Sequence, residues 1–455
     1  MRPAFLDLSP AEARRARAGW MLFDWASQPF HTLIVTFVFA PFFASAVAAD
    51  PVAGQEMWGW AATAGGLAIA ALAPVLGALA DATGPRKPWI VLFSALYVLG
   101  SAMLWFSEPG VATPALVLTW FVVGLVGAEF AAVFTNAMMP DLAPRARLGR
   151  LSGAGWALGY AGGVVALALM LLLLAENAAG VTLLGAPPAL GLDPAAREGT
   201  RAVGPLTALW YVAFVIPLFL WVPDARRVGA LRGAAARGLR ELAAAVRDLR
   251  TRPSLAWFLG SSMLYRDALN GFYTFGGIYA AGVLGWSIVE VGVFGILAAI
   301  IGAAGAWLGG RADSAYGPKP VVGVCLVALV AASLLAVSLN REAVLFVVAV
   351  GPDSALPDVL FYVVGGVVGA AGGALQAASR TLLVAEADEE RMTAGFGLYA
   401  LSGKATAFLA PLMVATATGW TGSQQAGVAP VILLFVAGLV TLAPVRGRLE
   451  AEAPA

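Results

Sequence analysis

One cysteine, Cys325, and one histidine, His31, are all that this chain of 455 residues holds of either type. A single thiol cannot close an intrachain disulfide. A single imidazole excludes multi-histidine metal centres and catalytic groupings that need a second His. The sequence also lacks a Walker-type phosphate loop and a nucleophile with an evident base. It therefore gives no expectation of an enzyme, a metal, a cofactor or ATP coupling by this chain. Charge is scarce as well: Asp, Glu, Lys and Arg make up 12% of residues, about half the share in a soluble domain. Lysine occurs only at Lys87, Lys319 and Lys404, and the net charge of +1 gives no reason to expect a nucleic-acid partner.

What fills the chain is apolar: 60% of residues are hydrophobic. A soluble core of this size has no use for so much apolar surface, but a bilayer does. Runs of about 20 residues, enough to cross the hydrocarbon as a helix, recur throughout. They place spans near 19–46, 58–80, 88–107, 112–138, 150–175, 205–222, 254–283, 287–309, 320–339, 358–384, 394–418 and 427–445. The expected fold is an all-α integral membrane bundle of twelve transmembrane helices. Trp20, Trp58, Trp89, Trp210, Trp221, Trp286 and Trp420 fall near span ends, as interfacial anchors do.

Basic residues set the expected orientation. With the N-terminus inside, the inner segments carry Arg14, Arg15, Arg17, Arg86, Lys87, Arg145, Arg147 and Arg150. The run from Arg226 to Arg252 follows, then Arg311, Lys319, Arg391, Arg446 and Arg448, against only Arg197, Arg201 and Arg341 outside. Both termini are thus expected in the cytoplasm. Ser9, Pro10 and Glu12 read as an N-cap, a first-turn proline and a capping-box acid, so a short basic helix feeds the first span and no cleavable signal is expected.

The chain repeats itself. Gly77-Ala-Leu-Ala-Asp81-Ala-Thr-Gly84-Pro-Arg86-Lys87 is echoed by Gly309-Gly-Arg-Ala-Asp313-Ser-Ala-Tyr-Gly317-Pro-Lys319. The second copy carries one inserted residue and a single cation. Met21-Leu-Phe-Asp-Trp-Ala-Ser-Gln-Pro-Phe-His-Thr32 aligns without gaps on Met263-Leu-Tyr-Arg-Asp-Ala-Leu-Asn-Gly-Phe-Tyr-Thr274. Trp156-Ala-Leu matches Tyr399-Ala-Leu. Such duplication is how many transporters are built. It divides the chain into a six-helix half at 1–222, a linker at 223–253 and a second six-helix half at 254–455. In the linker, Ala235, Leu239, Leu242, Val246 and Leu249 form an apolar stripe among arginines. It reads as a surface helix, either a tether between the halves or a solvated segment held by anionic lipid. The outer loop at 176–204 shows no evident chemistry.

Ionisable residues inside spans are costly, so each is a functional candidate. Asp24, Gln28 and His31 form one stripe on the first helix, and Arg266, Asn270 and Tyr273 the matching stripe on the seventh. Glu129 and Asn136 share a face of the fourth, and Lys404 lies mid-span in the eleventh. Asp24 and Arg266 hold equivalent repeat positions with opposite charge, which suggests that they approach each other or flank a zwitterion. Plainer readings stay open. Asp24 could complement a helix N-terminus, Glu129 could hydrogen-bond a neighbour, Lys404 could sit in a structural ion pair, and His31 could simply pack. Asp267 points away from Arg266 and is expected to pack on a neighbouring helix. Glu290 reads as the acid of a capping box begun by Ser287, and Asp388, Glu389 and Glu390 as a solvated turn. In the hinge loops Gly77 and Gly84 allow close approach. Asp81 and Asp313, with Arg86, Lys87 and Lys319, are placed to make contacts that form only when the inner side closes.

The repeated hinge resembles the signature loop of the major facilitator superfamily. Four stretches narrow the resemblance: Trp20-x-x-x-Asp24-Trp25-Ala26; Asn136-Ala-Met-Met-Pro-Asp141 with Arg147-Leu-Gly-Arg-Leu-Ser-Gly-Ala-Gly-Trp-Ala-Leu-Gly-Tyr160; Phe275-Gly-Gly-Ile-Tyr279 with Gly285-Trp286-Ser287; and Gln376-Ala-Ala-Ser-Arg-Thr381 with Phe396-Gly-Leu-Tyr-Ala-Leu-Ser-Gly-Lys404. Together, from Gly19 to Pro411, they resemble the vacuole-effluxer-like branch, whose fungal members are implicated in releasing amino acids from vacuoles. The resemblance implies a six-plus-six bundle with helices one, four, seven and ten around a central cavity. It implies a secondary transporter of a small polar metabolite, amino acids first, coupled to protons, monomeric and lipid-embedded; the short loops and Ala/Arg-rich composition suggest a bacterial member, expected in the inner membrane. Within transport, an exporter of amphipathic compounds is the alternative; outside it, a non-transporting sensor or scaffold of the same fold.

Overall fold

The computed structural model describes residues 8–110, 113–143, 145–224, 240, 243–244, 246–351, 353–386 and 392–447, and at 78–83, 140, 145–150, 392–397 and 400 the backbone alone. Among the described residues, twelve helical spans follow in order. Helices one to six are Pro10–Val47, Pro51–Thr83, Lys87–Met103, Pro114–Asn136, Arg145–Leu173 and Val203–Trp221. Helices seven to ten are Pro253–Gly282, Ile288–Tyr316, Pro318–Val337 and Leu356–Glu386. Helix eleven comes in two segments, Met392–Ala405 and Leu409–Thr421, and helix twelve is Pro430–Leu442, led by a short turn at Gln424–Val428. Strand occurs only as a two-residue pairing, Ala343–Val344 with Val348–Ala349, among the described residues.

Ten of these spans are long and apolar enough to cross a membrane. Helix seven has the length, 30 residues, but its polar face lowers its apolarity. Helix eleven fails because it is broken at 406–408. Pro411 explains the break: it brings no N–H to the ladder, and its ring is tolerated only in the first turn of a new segment. Helix one changes pitch after Pro29, running as a wider π-helix over Phe30–Phe37, because the missing amide of an internal proline interrupts the regular ladder. The expected basic entry helix is continuous with it, and the Ser9–Glu12 capping box is formed. Large apolar side chains such as Leu209, Leu220 and Val324 are about 70% exposed, which water would penalise and lipid would not.

The contacts divide the chain into two compact units. The first comprises Met1–Asp50, Ala71–Leu239 and Ser287–Gly292; the second Pro51–Ala70, Arg240–Trp286 and Val293–Ala455. Within the first, helix one lies against five and six, and helix three against four and six. Within the second, helix seven lies against eleven and twelve, and helix nine against ten and twelve. Adding six to each helix number converts one pattern into the other, so the sequence repeat is a repeat of packing. Most of the linker, 225–239 with 241, 242 and 245, lies outside the described residues, as does the acidic turn at 388–390.

Candidate substrate pathway and gating loops

Helix one presents Asp24 and Gln28 of its polar stripe to helix five. A Cβ at Gly155 would stand 2.5 Å from Asp24 Oδ2, and one at Gly163 would stand 2.9 Å from Gln28 Cγ. The glycines of helix five thus make the space that these two side chains fill. Gln28 Nε2 donates to Thr32 Oγ1 at 3.4 Å, and Trp20 Nε1 ties the same helix to the Thr135 carbonyl of helix four at 2.8 Å. His31 sits in the π-helical stretch, half-buried, with its ring edge-on to Phe30. On helix four, Glu129 is half-buried and Asn136, its last residue, is exposed.

The second unit repeats this design with the opposite sign. Arg266 leans from helix seven onto the first segment of helix eleven. Its Nη1 donates to the Tyr399 carbonyl at 2.9 Å, its guanidinium lies 4.4 Å from the Tyr399 ring centre, and a Cβ at Gly403 would come within 2.5 Å of it. Among the described residues no carboxylate pairs with Arg266. Lys404 follows Gly403 directly, half-buried in the last turn of that segment, where a cation suits the helix C-terminus. Arg266 thus rests on the same segment of helix eleven that carries Lys404. Tyr273 instead turns to helix ten, where a Cβ at Gly372 would meet its hydroxyl at 2.5 Å, and Asn270 is exposed.

Asp267 packs on the neighbouring helix as expected, with a definite task. Its Oδ2 accepts from the Ala410 amide at 2.9 Å, capping the second segment of helix eleven just where the chain resumes its turn after the break.

The two hinges also repeat. Gly84 has φ 87° and Gly317 φ 81°, values at which a side chain would be strained, and each precedes a proline or cation that opens the next helix. Lys87 Nζ donates to the Phe219 carbonyl at 2.8 Å near the end of helix six. Lys319 Nζ donates likewise to the carbonyls of Ala443, at 2.9 Å, and Val445 at the end of helix twelve. Each hinge lysine thus satisfies terminal carbonyls of the last helix of its own half. Arg86 pairs with Asp141 at 3.2 Å. Asp313 is buried, Gly77 half-buried, and the Asp81 side chain lies outside the described residues.

Two features escaped the sequence reading. Asp224 accepts from the backbone amides of both Arg86, at 2.8 Å, and Lys87, at 3.0 Å, and so caps helix three. The loop between helices five and six, in which the sequence shows no evident chemistry, folds around a fully buried carboxylate. Glu176 accepts from the Thr200 amide at 3.0 Å and hydroxyl at 2.7 Å, and pairs with Arg197 at 2.9 Å. Burial pushes the Glu176 carboxyl above the usual range, more than Thr200 and Arg197 pull it down. Arg201, also buried, donates to the Trp105 carbonyl, reaches Glu108 and stacks on the Trp105 ring.

A duplicated helix bundle with charged side chains held inside it and repeated hinges defines a transporter of the major-facilitator type. Within that class, the chain belongs to the family described as vacuole effluxer Atg22 like, whose model matches residues 66–451. It is 24% identical over 434 residues to an uncharacterized MFS-type transporter, YxiO, of Bacillus subtilis (strain 168), covering 93% of each chain. Among solved structures it resembles a D-xylose-proton symporter, with a TM-score of 0.64, 12% identity and coverage of 95% of this chain and 96% of that one. It also resembles a bacterial homolog of the human lysosomal transporter Spinster, inward-facing and unoccupied, at TM-score 0.63, 14% identity and 96% of each chain. The nucleoside transporter NupG gives 0.60 at 14% identity over 95% of this chain and 97% of that one. These similarities establish the fold; their cargoes are their own.

Proposed function

We propose that the chain is a proton-coupled secondary transporter of a small polar metabolite, with amino acids as the first substrate class, working by alternating access in a bacterial inner membrane with both termini cytoplasmic. One observation carries this reading: Arg266 is fixed by a carbonyl and a ring rather than by a carboxylate among the described residues. A cation held inside a membrane bundle without neutralisation by an acid is suited to an anionic group that comes and goes. Lys404, on the adjoining turn, supplies a second positive charge for a substrate carboxylate. Asp24 and Glu129 are the acids assigned to the substrate ammonium or to the coupled proton, and Gln28, His31, Asn136, Asn270 and Tyr273 complete the polar lining. The hinges, Gly77 to Lys87 and Asp313 to Lys319, form the gate. The protein acts as a monomer in lipid.

The test is binding to purified protein of an amino-acid panel against the matching amino amides, which lack the carboxylate. The reading expects carboxylate-dependent binding, weakened about 10–100-fold in Arg266→Gln, the loss of one charge-assisted hydrogen bond or more. Equal binding of acid and amide, or binding untouched by Arg266→Gln, would remove Arg266 from the substrate site.

A further inference from the structure

Helix seven also borders an apolar groove. This groove, of about 550 Å³, lies along the helix's first turns, walled by Pro253, Trp257, Gly260 and Leu264, bordered by Thr441 of helix twelve, with Arg250 at the linker end. That volume falls within the range of small-molecule sites, about 300–1,000 Å³. Gly260 lies about a third of a turn around the helix from Arg266, while Met263, one turn before Arg266, and Thr406, at the break in helix eleven, close the groove on the side of the polar stripe. Its walls are almost wholly apolar, and Trp257 is 47% exposed at its side. A Cβ built on Gly260 meets nothing within 4 Å, so the groove reaches the helix backbone itself.

Charge is confined to one end. Arg250 is exposed in the short turn Leu249–Thr251 that leads into helix seven. Its neighbour Arg252 is engaged with Asp248 at 3.8 Å, while Arg250 makes no ion pair among the described residues. The sequence just before it adds Arg237, Arg240 and Arg247. An apolar slot along the first turns of helix seven, with arginine at the end where the linker joins, matches a molecule that is apolar along its length and anionic at one end.

We propose that this groove binds an anionic glycerophospholipid from the leaflet at the linker end of helix seven. One acyl chain lies along Trp257, Gly260 and Leu264, and the phosphate pairs with Arg250. The lipid thereby fixes the junction between the linker and the helix that carries Arg266. Basic pockets between helices near the membrane surface recognise lipid headgroups in this way. The site does not depend on which substrate the protein carries.

Native mass spectrometry of the full-length protein, released from detergent with dioleoyl phosphatidylglycerol or dioleoyl phosphatidylcholine, tests it. The proposal expects one tightly retained phosphatidylglycerol, in preference to phosphatidylcholine. Arg250→Gln should lower phosphatidylglycerol retention about fivefold, the effect of one interfacial cation, and leave phosphatidylcholine unchanged. Gly260→Leu should fill the slot and abolish retention of the tight lipid. Gly260→Ala, which adds one methyl group in open space, should fold as wild type and lower retention in part, so a folding failure of the larger variant cannot hide the answer. Unchanged retention in the Gly260 variants, equal retention of both lipids, or displacement by inorganic phosphate alone would overturn the proposal.

Discussion

Replacing Gly403 with alanine should dislodge Arg266 without removing it. The added Cβ would stand 2.5 Å from the guanidinium carbon and 2.6 Å from Nη1. Ordinary contacts lie near 3.5–4.0 Å, so the group must retreat by about 1 Å. That is enough to stretch the 2.9 Å bond to the Tyr399 carbonyl beyond hydrogen-bonding range. A hydrogen bond from a charged donor contributes about 1.5–3 kcal/mol, and the contact over the Tyr399 ring about 0.5–2 kcal/mol, part of which would survive. Alanine's better helix propensity returns about 0.8–1 kcal/mol. The net expectation is a loss of about 1–2 kcal/mol. In an Arg266→Ala background the clash is gone, and the same Gly403→Ala change should stabilise by up to about 1 kcal/mol. Equilibrium unfolding of the four proteins of this cycle in mixed micelles measures the coupling directly. An identical effect of Gly403→Ala in both backgrounds would refute the placement of Arg266 on helix eleven.

Three further outcomes follow from the same contacts. Asp267→Ala should destabilise by about 1–3 kcal/mol by stranding the buried Ala410 amide, and Asp267→Asn by clearly less because its amide oxygen still accepts; equal losses in unfolding experiments would contradict the capping role. Lys87→Met and Lys319→Met should each cost about 0.5–1.5 kcal/mol and add in the double variant, since each caps a helix of its own half; strong non-additivity would contradict separate caps. Glu176 has a raised folded pKa, so the folded protein holds its proton at pH values where the unfolded chain has released it. Its contribution is therefore full below the ordinary carboxylate range and falls as pH rises through the folded value. Glu176→Gln should flatten that decline in stability measured from pH 4 upward; a wild-type decline unchanged by the substitution would assign it to other groups.

The sequence was most informative where geometry is periodic. Twelve spans, the repeat and the capping boxes at Ser9–Glu12 and Ser287–Glu290 were readable because helix length, register and N-cap chemistry follow local spacing. Which neighbour a face meets is not local. Asp24 and Gln28 form a stripe in any helix, but only packing shows that helix five supplies glycines to receive them. The break in helix eleven had a visible cause in Pro411, which the apolar run masked. The Glu176 cluster left no periodic trace: its partners Arg197 and Thr200 lie more than twenty residues away across a Gly- and Pro-rich loop. The hinge cations were recognised by repetition, yet their carbonyl partners belong to the ends of helices far along the chain.

The most direct test of the transport reading is flux into proteoliposomes that contain the purified protein, screened over amino acids with and without an imposed pH gradient. The account predicts gradient-dependent flux of at least one amino acid, abolished in Arg266→Gln and uncoupled from the gradient in Asp24→Asn, with both variants folded. Folded, lipid-reconstituted protein that moves no amino acid under either condition would contradict it.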